Sequence, residues 1–462
     1  MHATARPLIA IDPATEEELG RFDTSTADEV EAALASAEAA FQVWRRRPVA
    51  ERAGPVAALA RQLRANADSY ARLITIEMGK PITEARAEIE KCAWACDHYA
   101  EHGTTFLRDE VLPSNAARSL VAFEPLGVVL AIMPWNFPFW QVFRFAAAAV
   151  MAGNAVVLKH ASNVPQCALA IEAAFAASGF PDGLFRTVLI TGADVEPLVA
   201  DERVRAITLT GSSETGSRIA ELAGRALKKC VLELGGSDPF IVLPDADLAV
   251  AAAAAARARN QNTGQSCIAA KRFIAVGGIA EEFEERFARE VSALRVGDPR
   301  DASTQVGPLA RPDLREALDR QVSASVVMGA RVLAGGRPRA GRGYFYEPTV
   351  LAHVTDEMPA WREETFGPVA AIRRVADVAE ATRVANDSAY GLGASVWTAD
   401  AAAGERLARE IASGAVFVNG IVASDPRLPF GGTKRSGYGR ELGIFGIREF
   451  TNIKTIWIGP PR

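Results

Sequence analysis

The chain has 462 residues, 49% of them hydrophobic and 23% charged, with a formal net charge of −5. Such a length exceeds what one hydrophobic core sustains and predicts two large lobes; scattered Lys and Arg argue against a nucleic-acid surface, and short apolar runs such as Ala251–Ala256 fall far below the ~20 residues of a membrane span. Five cysteines (Cys92, Cys96, Cys167, Cys230 and Cys267) make no disulfide framework, no Cys/His metal pattern appears, and the N-terminus lacks a basic segment followed by an apolar one, so a metal-free cytoplasmic protein is expected.

After a strand-like opening (Leu8–Ile11), Thr26–Trp44 reads as a helix, with Thr26 as N-cap, Glu29 completing a capping box, and Val30, Ala33, Leu34, Ala37 and Phe41 as its apolar stripe. Helices over Val49–Ala65 and Asp68–Glu77 follow, a turn at Met78–Pro81 stops the pattern, and a long helix runs from Ile82 to His102, where Trp94 and Tyr99 look like core. Short strands between Arg108 and Phe123 suggest a protruding hairpin. Buried-type strands at Gly127–Met133, Ala155–Lys159, Leu184–Ile190, Ala206–Thr210 and Cys230–Leu234 alternate with helices, the signature of a doubly wound parallel sheet whose ligands bind at the C-terminal ends of its strands. A second alternation begins beyond Gly236 with Pro239–Leu243 and the helix Leu248–Ala258, and the chain ends in a strand near Thr451–Trp457.

Within the second lobe, Asn262-Thr263-Gly264-Gln265-Ser266-Cys267 sets one thiol behind a glycine-bearing polar turn. A free cysteine is more often a small buried hydrophobe than a nucleophile, so other residues must decide. Glu233 closes an apolar strand, where a charge costs free energy unless it is paired, hydrated or functional. Asn136 could donate to an oxyanion alongside the Cys267 N–H, although such a residue is commonly a turn former. Gly211-Ser212-Ser213-Glu214-Thr215-Gly216 follows a strand and opens a helix, suiting either a pyrophosphate or a simple helix cap.

These pieces, together with Pro134-Trp135-Asn136-Phe137-Pro138, Leu158-Lys159, Glu364-Thr365-Phe366-Gly367-Pro368 and Pro429-Phe430-Gly431-Gly432, resemble the motifs of the aldehyde dehydrogenase superfamily in order and spacing. The likeness runs from about Ile11 to the C-terminus. The run Lys159-His160-Ala161-Ser162-Asn163 resembles the compact bacterial succinate-semialdehyde dehydrogenases in particular.

The resemblance implies an α/β fold with a Rossmann-like cofactor lobe (1–107 and 126–235), a catalytic lobe (236–430) and a small β oligomerisation element (108–125 and 440–462). It implies that Cys267 attacks the aldehyde, that Asn136 and the Cys267 N–H hold the oxyanion, and that Glu233 activates the water that hydrolyses the thioester. Trp135, Lys159, Ser162, Gly211, Ser212, Leu234, Glu364 and Phe366 fall at cofactor positions, and Ser162, where NAD-preferring members often carry a glutamate, implies that NADP is accepted and preferred over NAD. Arg144, Ser424 and Trp140 fall at substrate positions, Arg144 matching a carboxylate-binding arginine. Gln261 replaces a second arginine found in some members, and Ala269 replaces a second cysteine. A homodimer or homotetramer is implied, with the hairpin Arg108–Phe123 and the strand Thr451–Ile458 meeting across subunits. The alternatives are a dehydrogenase for glutarate semialdehyde or an aliphatic aldehyde, and, further off, a hydride-free thiol esterase.

Overall fold

The structure is a computed structural model and describes residues 7–460, so His2 and the extreme N-terminus on which the leader expectation rests lie outside the described residues. An antiparallel pair, Leu8–Asp12 with Glu17–Phe22, precedes helices Ala27–Trp44, Val49–Ala65, Ala67–Met78 and Ile82–Phe106. The first begins at Thr26 with a capping box closed by Glu29, and all of its predicted stripe is buried except Val30, which is half-buried. Gly79 ends the third helix at φ +80°, and a Cβ there would sit 2.7 Å from Pro308 Cγ, so conformation and crowding both call for glycine. Cys92, Cys96 and Tyr99 are fully buried, whereas Trp94 is only half-buried, its ring covered by the Arg427 guanidinium at 5.3 Å.

These helices pack on a six-stranded sheet ordered Gly437–Tyr438, Lys229–Glu233, Val204–Thr210, Val128–Met133, Ala155–His160, Phe185–Thr187. The last five strands run parallel, and the chain reverses its direction of travel across the sheet between Val128–Met133 and Val204–Thr210. That reversal opens a crevice at the strands' C-terminal ends, where Asn136, Lys159, Ser212 and Glu233 follow or close their strands. The strand expected over Leu184–Ile190 is limited to Phe185–Thr187, because Thr191 and Asp194 form a capping box that starts the next helical turn. A second, seven-stranded sheet contains Asp238–Val242, Ala270–Val276, Val369–Val375 and Gly393–Trp397 at its centre, all parallel.

One expectation is corrected. The strand Thr451–Ile458 does not wait for a neighbouring subunit: it pairs antiparallel with Arg118–Pro125 of the same chain over its whole length, which in turn pairs with Glu110–Val111. The helix Gly443–Glu449 folds the C-terminus back against the long helix and delivers the last strand to the hairpin, so the pairing needs no second copy. What stays open is the outer edge of Thr451–Ile458, with Ile453, Ile456, Trp457 and Ile458 exposed. No described helix is long and apolar enough to cross a membrane.

Candidate active site

The thiol turn is assembled by long-range contacts. The helix Leu248–Asn260 runs into a tight turn, Gln261–Gly264, in which Asn262 and Thr263 take left-handed conformations (φ 55° and 56°), unfavourable for non-glycine residues and costly for a β-branched one. The surroundings compensate. The Asn262 N–H donates to Glu84 of the long helix at 2.7 Å, its side-chain amide donates to the carbonyls of Asn136 (2.7 Å) and Gln265 (3.0 Å), and Arg259 donates to Gly264 O at 2.6 Å. On the far side, the Lys271 ammonium donates to the carbonyls of Ser266, Cys267 and Ala269 at 3.0, 2.9 and 3.1 Å.

Cys267 is half-buried at the end of this turn, and its N–H meets no protein acceptor among the described residues. Asn136 Nδ2 donates one proton to Gln265 O, two residues before Cys267, at 3.0 Å, and its second proton has no acceptor among the described residues. The loop that carries Asn136 is held from below: Glu88 accepts from the N–H groups of Phe139 and Trp140 at 2.9 Å each and pairs with the buried Lys80. His160 accepts the Ala161 N–H on Nδ1 and so donates from Nε2 to Pro138 O at 2.9 Å, tying the strand of Lys159 to the same loop. Burial pushes the Cys267 thiol up to about 12, against the opposing pull of Arg144 and then Lys271.

Glu233 is fully buried, and neither carboxylate oxygen has a protein partner among the described residues. Burial therefore holds its carboxyl above the ordinary range, Arg144 acting against that and Glu441 adding to it. Gly431 leaves room beside it, since a Cβ there would fall 2.8 Å from Glu233 Oε1.

Arg144 falls at the position expected for a carboxylate-binding arginine. Its guanidinium is buried, ion-paired to Glu441, donating to Thr210 Oγ1 at 3.3 Å and stacked over Phe430. It still lines, with Cys267, Trp140 and Ser424, one cavity of about 610 Å³. Ser424 Oγ accepts from Trp140 Nε1 at 3.1 Å and from Lys91 Nζ at 2.8 Å. Gln261 lines the same cavity.

Of the residues expected at the cofactor, Trp135, Lys159, Gly211, Ser212 and Leu234 lie at or just beyond the C-terminal ends of strands of the first sheet. Ser212 caps the helix Ser213–Arg225, Lys159 is the penultimate residue of its strand, and the Gly211 N–H donates to Glu233 O at 3.0 Å. Glu364 accepts the Gly236 N–H at 3.1 Å and stands 3.6 Å from Lys271 Nζ, while Phe366 meets Trp135 edge-on at 5.8 Å. Leu234 packs against Gly216, whose Cβ would lie 2.4 Å from Leu234 Cδ2. Ser162 is half-buried and makes no side-chain hydrogen bond among the described residues. The chemistry of this set suits a dinucleotide: a helix N-terminus for its phosphates, and glycines such as Gly216 and Gly235 where a Cβ would meet Leu234 or Glu364.

Sequence reading missed Lys91, Glu84, Glu88, Lys271 and Glu441. Lys271 was findable, because a lysine inside the apolar run Ala270–Val276 poses the same question as Glu233 does in its strand. The others meet the site across many intervening residues, for which the chain carries no local signal.

Comparison with known proteins agrees with this architecture. The sequence profile of the aldehyde dehydrogenase family matches residues 2–456. A probable NADP+ succinate-semialdehyde dehydrogenase of a Synechocystis species is 51% identical over 451 residues, 98% of this chain and 99% of that protein. The NAD(P)+ succinate semialdehyde dehydrogenase of Escherichia coli is 49% identical over 449 residues, 97% of each chain. The crystal structure of succinic semialdehyde dehydrogenase from Streptococcus pyogenes with NADP+ matches with a TM-score of 0.96 at 36% identity, covering 98% of this chain and 100% of that one. A single thiol turn braced from both lobes, a buried carboxylate beside it and a doubly wound sheet at its back therefore sit in a chain that belongs to the aldehyde dehydrogenase family.

Proposed function

We propose that the protein oxidises succinate semialdehyde to succinate with NADP preferred over NAD. The observation that carries this reading is the single cavity in which Cys267 shares walls with Arg144, Trp140 and Ser424, a nucleophile facing a polar end suited to a carboxylated aldehyde. The names of the Synechocystis and Escherichia coli relatives support the same substrate.

In this reading Cys267 Sγ, as thiolate, adds to the aldehyde carbon. The Asn136 amide and the unpartnered Cys267 N–H donate to the resulting oxyanion. Lys159, Ser162, Gly211, Ser212, Leu234, Glu364, Phe366 and Trp135 bind the cofactor, which supplies the hydride acceptor. Glu233, once ionised, takes a proton from the water that cleaves the thioester, and succinate leaves with the free thiol. Ser162 beside Lys159 supports NADP, because a hydroxyl and an ammonium accommodate a 2′-phosphate that a carboxylate repels.

The segments 1–107 and 126–235 form the cofactor lobe and 236–430 the catalytic lobe, while 108–125 and 440–462 form the assembly element, whose open strand edge and exposed Ile453 and Trp457 support a homodimer or homotetramer. The compartment is the cytoplasm, consistent with the five cysteines remaining free thiols.

Steady-state kinetics on malonate, succinate and glutarate semialdehydes and on butanal, each with NAD and NADP, test the reading. Succinate semialdehyde with NADP gives the highest kcat/KM, exceeding butanal by more than about tenfold. Equal efficiency on butanal overturns the substrate, a preference of about tenfold for NAD overturns the cofactor, and hydrolysis of an ester without any reduced nicotinamide from an aldehyde returns the thiol esterase.

A further inference from the structure

Two carboxylates on one helix face reach the two halves of the thiol site. Glu84 and Glu88 stand one turn apart near the start of Ile82–Phe106, on the same side of that helix. Glu84 accepts the N–H of Asn262, in the turn that leads to Cys267, at 2.7 Å. Glu88 Oε1 accepts the N–H groups of Phe139 and Trp140, just beyond Asn136, at 2.9 Å each.

Neither segment satisfies these donors by itself. The helix Trp140–Ala152 starts at Phe139, whose side chain offers no cap, so its first N–H groups take their acceptor from another helix. Asn262 is held at φ 55°, a conformation that persists only where the surroundings fix it. The Asn262 amide also donates to Asn136 O at 2.7 Å, and Asn136 Nδ2 donates to Gln265 O at 3.0 Å, so the two braced segments meet each other.

The helix that carries the pair is itself anchored. The Ile82 N–H donates to Pro299 O of the second lobe at 2.8 Å. Lys80, fully buried just before it, pairs with Glu88 and places its ammonium over the Phe137 ring at 3.6 Å. Glu90 of the same helix, by contrast, engages only the surface residue Arg64.

At Glu84 the contact does not depend on charge. Burial raises its carboxyl to about 7, and a protonated carboxyl keeps an oxygen that accepts the Asn262 N–H. What the pair supplies is reach: two arms of equal length on a rod, about 6 Å apart along its axis.

We propose that Glu84 and Glu88 are positioning residues that act as one unit, setting the distance between the Cys267 nucleophile and the Asn136 oxyanion donor by the reach of their side chains. This rests on the reading above, in which those two groups form the first tetrahedral adduct.

Variants separate reach from charge. Glu84→Asp and Glu88→Asp keep the charge and shorten the arm by about 1 Å. Glu84→Gln and Lys80→Met/Glu88→Gln keep the length without the charge, Lys80 being replaced so that its ammonium does not face an amide. Single-turnover stopped flow, with enzyme in excess over succinate semialdehyde and NADP saturating, reads the formation of reduced nicotinamide, and its limiting rate at high enzyme concentration is independent of any unfolded fraction. Each aspartate variant slows that rate by about tenfold to a hundredfold, whereas the glutamine variants lose less than about threefold. The double aspartate variant loses less than the product of the single losses, because both arms set one distance. Alkylation of Cys267 by iodoacetamide, which develops no oxyanion, keeps its parental rate in Glu88→Asp. Aspartate variants at the parental rate, glutamine variants as slow as the aspartates, strictly multiplicative losses, or alkylation slowed together with the aldehyde step each overturn the proposal. If Glu88→Asp does not fold, Glu84→Asp against Glu84→Gln decides. A parental rate in Asn136→Ala overturns the oxyanion reading, and the proposal with it.

Discussion

Replacing Lys271 with methionine asks what a buried lysine contributes beneath a nucleophile. The ammonium is fully buried and donates to three main-chain carbonyls of the thiol turn, with Glu364 3.6 Å away. Charge-assisted bonds of this kind contribute about 1.5–3 kcal/mol each, against several kcal/mol for removing an ammonium from water, so the intact arrangement is only modestly favourable. Methionine nearly keeps the volume and escapes the desolvation cost, but it leaves inward-facing carbonyls unsatisfied at about 1–3 kcal/mol apiece. Shared relaxation of the turn limits the total to about 3–5 kcal/mol. In a chain of this size that lowers the thermal midpoint by on the order of 5–10 °C. Burial already raises the Glu364 carboxyl and Lys271 is the largest influence opposing it, so the variant also binds NADP more weakly at neutral pH and recovers affinity as pH rises. Scanning calorimetry and the pH dependence of KM for NADP provide the two readouts. A Lys271→Met protein that melts within about 1 °C of the parent, with an unaltered KM profile, refutes the bracing role.

Glu233→Gln releases a stoichiometric burst of reduced nicotinamide and then stalls at least about 10²-fold below parental turnover, visible by stopped flow. Because burial raises the Glu233 carboxyl and only its ionised form accepts a proton, hydrolysis-limited turnover in the parent climbs with pH through neutrality and flattens once the group is ionised; a flat profile between about pH 6 and pH 9 contradicts this. Ser162→Glu lowers the NADP-to-NAD ratio of kcat/KM by about tenfold to a hundredfold, and an unchanged ratio removes Ser162 from the cofactor site. Arg144→Met strands Glu441 and Glu233 as buried carboxylates and destabilises the protein by about 3–5 kcal/mol. Adding Glu441→Gln restores part of that loss, and strict additivity in denaturant titrations would show that Arg144 and Glu441 are not partners.

Strand–helix alternation made the two sheets legible, because fully buried parallel strands such as Val128–Met133 and Ala155–His160 appear as continuous apolar runs. Glu233 stands out in the sequence as a carboxylate closing an apolar strand, whereas Cys267 and Asn136 stand out only through the motifs of the family they resemble. The closing of the C-terminal strand onto its own hairpin was not legible, since strand pattern reports an edge but not whose edge fills it. Nor was the ion pair of Arg144, because Glu441 sits beyond a Gly-rich loop in a segment whose pattern suggested assembly. The contact of Lys91 with Ser424, 333 residues away, was equally hidden, since no periodicity spans that interval.

The contact between Asn262 N–H and Glu84 joins residues 178 positions apart. On a ribosome the acceptor is therefore made long before the donor, and the left-handed pair Asn262–Thr263 has nothing to hold it until the second lobe has grown far enough to dock on the first. The reactive turn is thus among the last features to take shape. Until then Cys267 sits in a loop without the Glu84 and Asn136 contacts that hold the turn before it.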